Sequence, residues 1–154
     1  MALFIAIMHV SCLVHKENEL LAKLDVIPED GVLISIDLPY RGVAWRLSVA
    51  LDGKVNNAGS EILIELVNES EAILKLTLPE ETVFTRIGVG QKEPIWRGSL
   101  KELRETPVSI PFSFLEPQNK LKRLKMTMLI RSSSPVRFMS EASIIVRASS
   151  TDGL

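Results

Sequence analysis

His9, Cys12 and His15 are the only histidines and the only cysteine in this 154-residue chain, and they stand three residues apart. These residue types are ordinary zinc ligands and ordinary members of a Cys–His nucleophilic pair. Spacing argues against both roles. The surrounding residues read as a strand, and an extended chain separates His9 from His15 by about 20 Å. Cys12 has the opposite parity and shares a face with Met8, Val10 and Val14. Ligands arranged in this way cannot meet at about 2 Å from one ion. Only a helix would stack all three groups on one side. No metal and no cofactor is expected, and Cys12 is read as a small buried apolar side chain.

Other catalytic sets lack a frame. There is no Gly-x-Ser-x-Gly elbow and no further histidine to act as a base. Gly88-Val89-Gly90 lacks the glycine spacing and the lysine of a phosphate loop. Asp25, Asp37 and Glu65 could in principle supply a glycosidase-type carboxylate pair. All three fall on predicted solvent faces, so no catalytic residue is assigned.

Two groups of residues are candidates for binding. The first is basic: Lys120, Lys122, Arg123 and Lys125, followed by Arg131 and Arg137. Parity turns Leu124, Met126, Met128 and Ile130 inward and sends Arg123, Lys125 and Arg131 out together. Such a stripe suits an anionic lipid surface or simply keeps an outer strand soluble. Specific nucleic-acid binding is not expected, because the chain is not basic overall and no aromatic platform adjoins the stripe. The second group is Trp96 with Arg97, between Pro94 and Gly98 in loop-like sequence. Trp and Arg often anchor interfaces; the indole could equally plug one end of a sandwich.

The elements that position these residues follow from a two-residue rhythm. Leu20, Ala22, Leu24 and Val26 recur at every second position, with Lys23 and Asp25 between them. So do Val32, Ile34, Ile36 and Leu38, and then Trp45, Leu47, Val49 and Leu51. One buried face and one wet face produce that pattern. Strands are predicted at 3–14, 19–27, 32–38, 43–52, 61–67, 72–78, 82–89, 107–115, 121–131 and 141–148. Turn-forming stretches such as 29–31, 52–60 and 132–135 separate them. This number of short strands predicts an all-β fold: a two-sheet antiparallel β-sandwich of jelly-roll-like or related Greek-key topology. Trp45, Phe112 and Phe114 are expected in its core. Pro111 lies inside a strand and lacks an amide donor, which places 107–115 at a sheet edge and makes it a docking ladder for another chain. Ser99 is expected to cap a helix of at most two turns, with Glu102 completing a capping box and Pro107 ending it.

The whole chain, 1–154, is read as one domain with a frayed tail from about residue 149. A single cysteine excludes an internal disulfide. Net charge is −1. By halves, however, residues 1–77 carry −5 and residues 78–154 carry +4. That split favours self-pairing or a polar partner, unless strands from the two halves interleave. The apolar start, Met1 to Met8, is too short to span a bilayer. Val10-Ser11-Cys12 resembles the end of a bacterial lipoprotein signal, although His9 stands where a larger apolar residue belongs. Asn68-Glu69-Ser70 is a glycosylation sequon with meaning only in a secreted eukaryotic protein.

The stretch Lys125-Met126-Thr127-Met128 through Arg131-Ser132-Ser133-Ser134-Pro135-Val136-Arg137-Phe138 resembles a strand and turn in the matrix proteins of rhabdoviruses. It is a small part of the chain, and the basic amino-terminal tail of that family is missing here. The resemblance implies a protein that assembles beneath a membrane in the host cytoplasm.

The combined expectation is a non-enzymatic structural or adaptor module, matrix-like or coat-like. It would self-associate or dock a protein or an anionic membrane surface, in the cytoplasm or at a membrane. The alternatives are a periplasmic lipoprotein chaperone or pilot anchored at Cys12, and a carbohydrate-binding or hydrolytic sandwich.

Overall fold

The structure, a computed structural model, describes residues 10–16, 19–40, 44–79, 83–115, 121–138 and 142–150, with side chains described from residue 19 onward. Among the described residues it is an antiparallel β-sandwich with one short helix. The strands are β1 (Val10–Lys16), β2 (Glu19–Leu24), β3 (Val26–Ile27), β4 (Val32–Pro39), β5 (Trp45–Asp52), β6 (Glu61–Asn68), β7 (Leu74–Leu76), β8 (Thr85–Ile87), β9 (Lys92–Ser99), β10 (Val108–Phe114), β11 (Arg123–Ser132), β12 (Val136–Arg137) and β13 (Ser143–Ser150). The helix, α1, is Leu100–Glu105.

One sheet has the order β1-β2-β13-β5-β10-β7-β8 and the other β4-β11-β6-β9. Eight of these strands pair as nested hairpins. Outermost is β2 with β13, then β4 with β11, β5 with β10, and innermost β6 with β9. That nesting defines a jelly roll. Strand β1 extends the first sheet beyond β2, and the β7–β8 hairpin extends it beyond β10. A two-stranded β3–β12 ribbon lies apart from both sheets.

Alternation drives the layering. In β4, Val32, Ile34, Ile36 and Leu38 are buried, and in β11 so are Leu124, Met126, Met128 and Ile130. They belong to one continuous core between the sheets, with Trp45, Leu47, Phe112 and Phe114 from the other layer. Each such side chain contributes about 1.5–3 kcal/mol when fully buried. Trp45 stacks on Phe112 with ring centroids 6.4 Å apart, and Tyr40 meets Phe114 edge-on at 5.1 Å.

Several sequence expectations need correction. Strand β10 is not an edge: β5 flanks it on one side and β7 on the other. Pro111 is accommodated by the shortness of β7. Its carbonyl accepts from the Thr77 N–H at 3.1 Å, so its missing donor faces the same side, just past the end of β7 at Leu76. A whole strand, β9, runs through the stretch read as a loop around Trp96. Strands β7 and β8 are shorter than predicted, and β13 continues to Ser150, past the expected start of the tail. The helix conforms: the Ser99 hydroxyl accepts from the Glu102 N–H at 3.1 Å, and the Glu102 carboxylate accepts from the Ser99 N–H at 3.0 Å.

Strands from the two halves of the chain do interleave, with β13 between β2 and β5 and β11 between β4 and β6. The charge split along the sequence therefore does not become two separate charged layers.

Candidate functional surface

The predicted basic stripe lies on the outer face of the β4-β11-β6-β9 sheet. Arg123, Lys125 and Arg131 are exposed there, on the opposite side of β11 from its buried apolar residues. The face is less cationic than the sequence suggests. Arg123 Nε donates to Asp37 Oδ1 at 2.7 Å across the β11–β4 ladder. Arg131 pairs with Glu65 of β6, whose second carboxylate oxygen lies 3.8 Å from Lys92 Nζ on β9. Glu65 is only 9% exposed, so these cations compensate a carboxylate that the sheet has largely taken out of water. Asp37 and Glu65 are thus committed to arginines. Their register also puts them about 16 Å apart, too far for a carboxylate pair acting on one glycosidic bond.

The other predicted basic residues differ in their relation to this stripe. Lys122, with Arg123 and Lys125, borders a recess of about 250 Å³ that Glu69 and Glu71 also line. Arg137 sits in β12, opposite Val26 in the small ribbon. Lys120 lies outside the described residues, as does His9. Cys12 and His15 belong to β1, in register with Lys23 and Leu20. Among the described residues no three His, Cys, Asp or Glu side chains are grouped to hold an ion.

Between the charges on this face lies an apolar streak that the sequence analysis missed. Leu33 of β4 is directly opposite Leu129 of β11, and Leu63 and Val67 of β6 are its diagonal neighbours. All four are half-buried although they point away from the core. Their outward parity was readable in the sequence. That they meet required the register.

Trp96 is half-buried against the core at the β9 edge. A bulge causes this position: Ile64 is opposite Trp96 but Glu65 is opposite Pro94, so Ile95 is extra and the alternation shifts. The indole lies over Gly98, where a Cβ would come within 2.7 Å of the ring. With Leu78, Pro79, Pro94 and Arg97 it lines an open recess of about 450 Å³. Of the two roles expected, the packing of Trp96 against the core agrees with the plug at one end of the sandwich. Arg97 is exposed beside it.

The open edges of this sheet differ. Strand β9 is blunted by Pro94, by the bulge and by Lys92 and Arg97, the usual defences against stray pairing. Strand β4 is regular for eight residues and hydrogen-bonds only to β11 within the sheet. The Tyr40 N–H donates to the Lys122 carbonyl at 2.9 Å, so even-numbered amides face β11. Those of Leu33, Ser35 and Asp37 face away, and Pro39 occupies an outward position where no donor is needed.

No family model matches the chain, and no curated protein matches it. Among solved structures it is similar to one described as the crystal structure of infectious bursal disease virus VP2 subviral particle, with 8% identity and a TM-score of 0.20. The match covers 90% of this chain and 36% of that one, so this chain spans about a third of its length. A likeness at that score carries no argument about either fold or function.

Proposed function

We propose that this jelly roll is a non-enzymatic structural or adaptor module that associates with further copies of itself through the β4 edge and the outer face beside it. The observation that carries this reading is β4, which among the described residues is a regular edge with no strand beyond it and bears Leu33 next to Leu129. Two such edges brought together antiparallel about a two-fold axis would join two four-stranded sheets. They would also bring the two leucine pairs close to each other. The charges around the streak are of mixed sign: Arg123 with Asp37, and Arg131 and Lys92 with Glu65. A surface of that kind can complement a copy of itself, whereas a purely cationic face could not.

Light scattering on a size-exclusion column over a hundredfold concentration range tests the proposal. A mass rising to twice that of the 17.1 kDa chain supports it. A constant monomer at the highest concentration would refute self-association. It would leave docking to a different protein or to an anionic membrane as the remaining form of the reading.

A further inference from the structure

Four cations without an acidic partner gather on the other side of the molecule, on the outer face of the seven-stranded sheet. Arg147 of β13, Arg46 of β5, Lys75 of β7 and Arg86 of β8 share that face. Register connects them. Arg147 is opposite Ser48, Arg46 is opposite Ser149, Ser48 is opposite Ser109, and Lys75 lies between Ser113 and Arg86. Among the described residues none of these four cations makes an ion pair, whereas Arg123, Arg131 and Lys92 on the opposite sheet all do.

Hydroxyls occupy much of the space between them, together with Pro111 opposite Arg46 and Leu21 opposite Arg147. Ser48, Ser109, Ser113 and Ser149 point outward from β5, β10 and β13, and Arg46 Nη1 donates to Ser109 Oγ at 2.7 Å. Over β13, β5, β10, β7 and β8 the only outward acid among the described residues is Asp52. It is opposite Ser143, about 13 Å along the strand from Arg147. Glu19 of β2, opposite Ser149, is the diagonal neighbour of Arg147, and no ion pair joins the two. Four strand spacings and a four-residue offset along β10 put Arg86 about 23 Å from Arg147. At that far end Phe84 is 40% exposed, with Lys75 Nζ 4.8 Å and Arg86 Cζ 5.2 Å from its ring centroid.

Guanidinium groups interleaved with serine hydroxyls over such a track match a row of phosphates. An exposed aromatic at one end offers a base a surface to stack on. A lipid surface would instead call for well-exposed apolar side chains among the cations, whereas the outward apolar residues beside Arg46 and Arg147, namely Leu21, Ala50, Pro111 and Ile145, are half-buried. We propose that this face binds the phosphate backbone of single-stranded nucleic acid without reading its sequence. The site is independent of the β4 edge and of any association made there.

Fluorescence anisotropy of a labelled oligouridine of twenty nucleotides, titrated with the full chain between 50 and 300 mM salt, tests this. Four phosphate contacts predict a slope of log affinity against log salt of about −3. The double variant Arg46→Ala/Arg147→Ala should lower that slope to about −1.4 and weaken binding about 25-fold at 0.1 M salt. The double variant Arg123→Ala/Lys125→Ala, on the opposite face, should change neither. The slope counts contacts, so it separates a lost contact from a partly unfolded sample. Absence of saturable binding at 50 mM salt would overturn the proposal, as would equal weakening by both double variants. Binding to phosphatidylserine-containing vesicles with none to oligouridine would also overturn it and assign the face to lipid.

Discussion

At the scale of single residues, the side chains that matter most are those whose polar atoms the fold has had to satisfy. Asn68 is fully buried. Its amide donates to the carbonyls of Ala72 and Ile87 at 2.8 and 2.9 Å, and its Oδ1 accepts from the Ser70 N–H at 3.0 Å. The sequence shows only a sequon there. The structure shows a pin holding the β6–β7 turn to the end of β8. Asn68→Ala should cost about 3 kcal/mol in chemical denaturation, because it leaves two buried carbonyls without donors. Tyr40 supplies a pH-dependent counterpart. Burial raises its phenol above the usual value near 10, opposed in part by a hydrogen bond with the Phe114 backbone. The folded state therefore holds the phenolic proton longer than the unfolded chain. The stability this gives is complete below pH 10 and is lost as pH climbs through the folded value. Tyr40 is the only tyrosine. Phenolate absorbance should therefore titrate later in folded than in denatured protein, and Tyr40→Phe should flatten the alkaline decline in stability.

At the scale of elements, the contrast between β4 and β9 shows what a sequence can and cannot convey. Strand β4 was plain because Val32, Ile34, Ile36 and Leu38 keep strict parity and end at a proline. Strand β9 was hidden because its bulge at Ile95 breaks parity and its Pro94 imitates a loop. Both features are tolerable only because β9 is an edge, and edge status depends on partners far away in the chain. Pro111 misled in the opposite direction. Its missing amide seemed to require an edge, but a three-residue neighbour, β7, leaves the position unclaimed from inside the sheet. The helix was readable in full because its capping box is local. Gly98→Ala probes β9 directly. The added methyl would strike the Trp96 ring, so tryptophan fluorescence should change as the indole is displaced, with a stability cost of about 1–3 kcal/mol.

At the scale of the whole molecule, the jelly-roll class followed from strand number and alternation, whereas the surfaces depended on strand order. Arg123, Lys125 and Arg131 share one outward face of β11, but the acids that neutralise Arg123 and Arg131 come from β4 and β6. The four unpaired cations of the opposite face come from four strands no two of which are consecutive along the chain apart from β7 and β8. A linear reading cannot bring them together. The central claim, however, concerns the β4 edge, and one substitution isolates it. Ser35 is exposed and its amide faces away from β11, so Ser35→Pro removes an outward donor while leaving the β4–β11 ladder intact. Sedimentation equilibrium of wild type and Ser35→Pro, with Ser35→Lys as a proline-free control of the same edge, is the most direct measurement. The account predicts a concentration-dependent dimer for wild type and a folded monomer for both variants. A dimer of unchanged affinity in the two variants would contradict it.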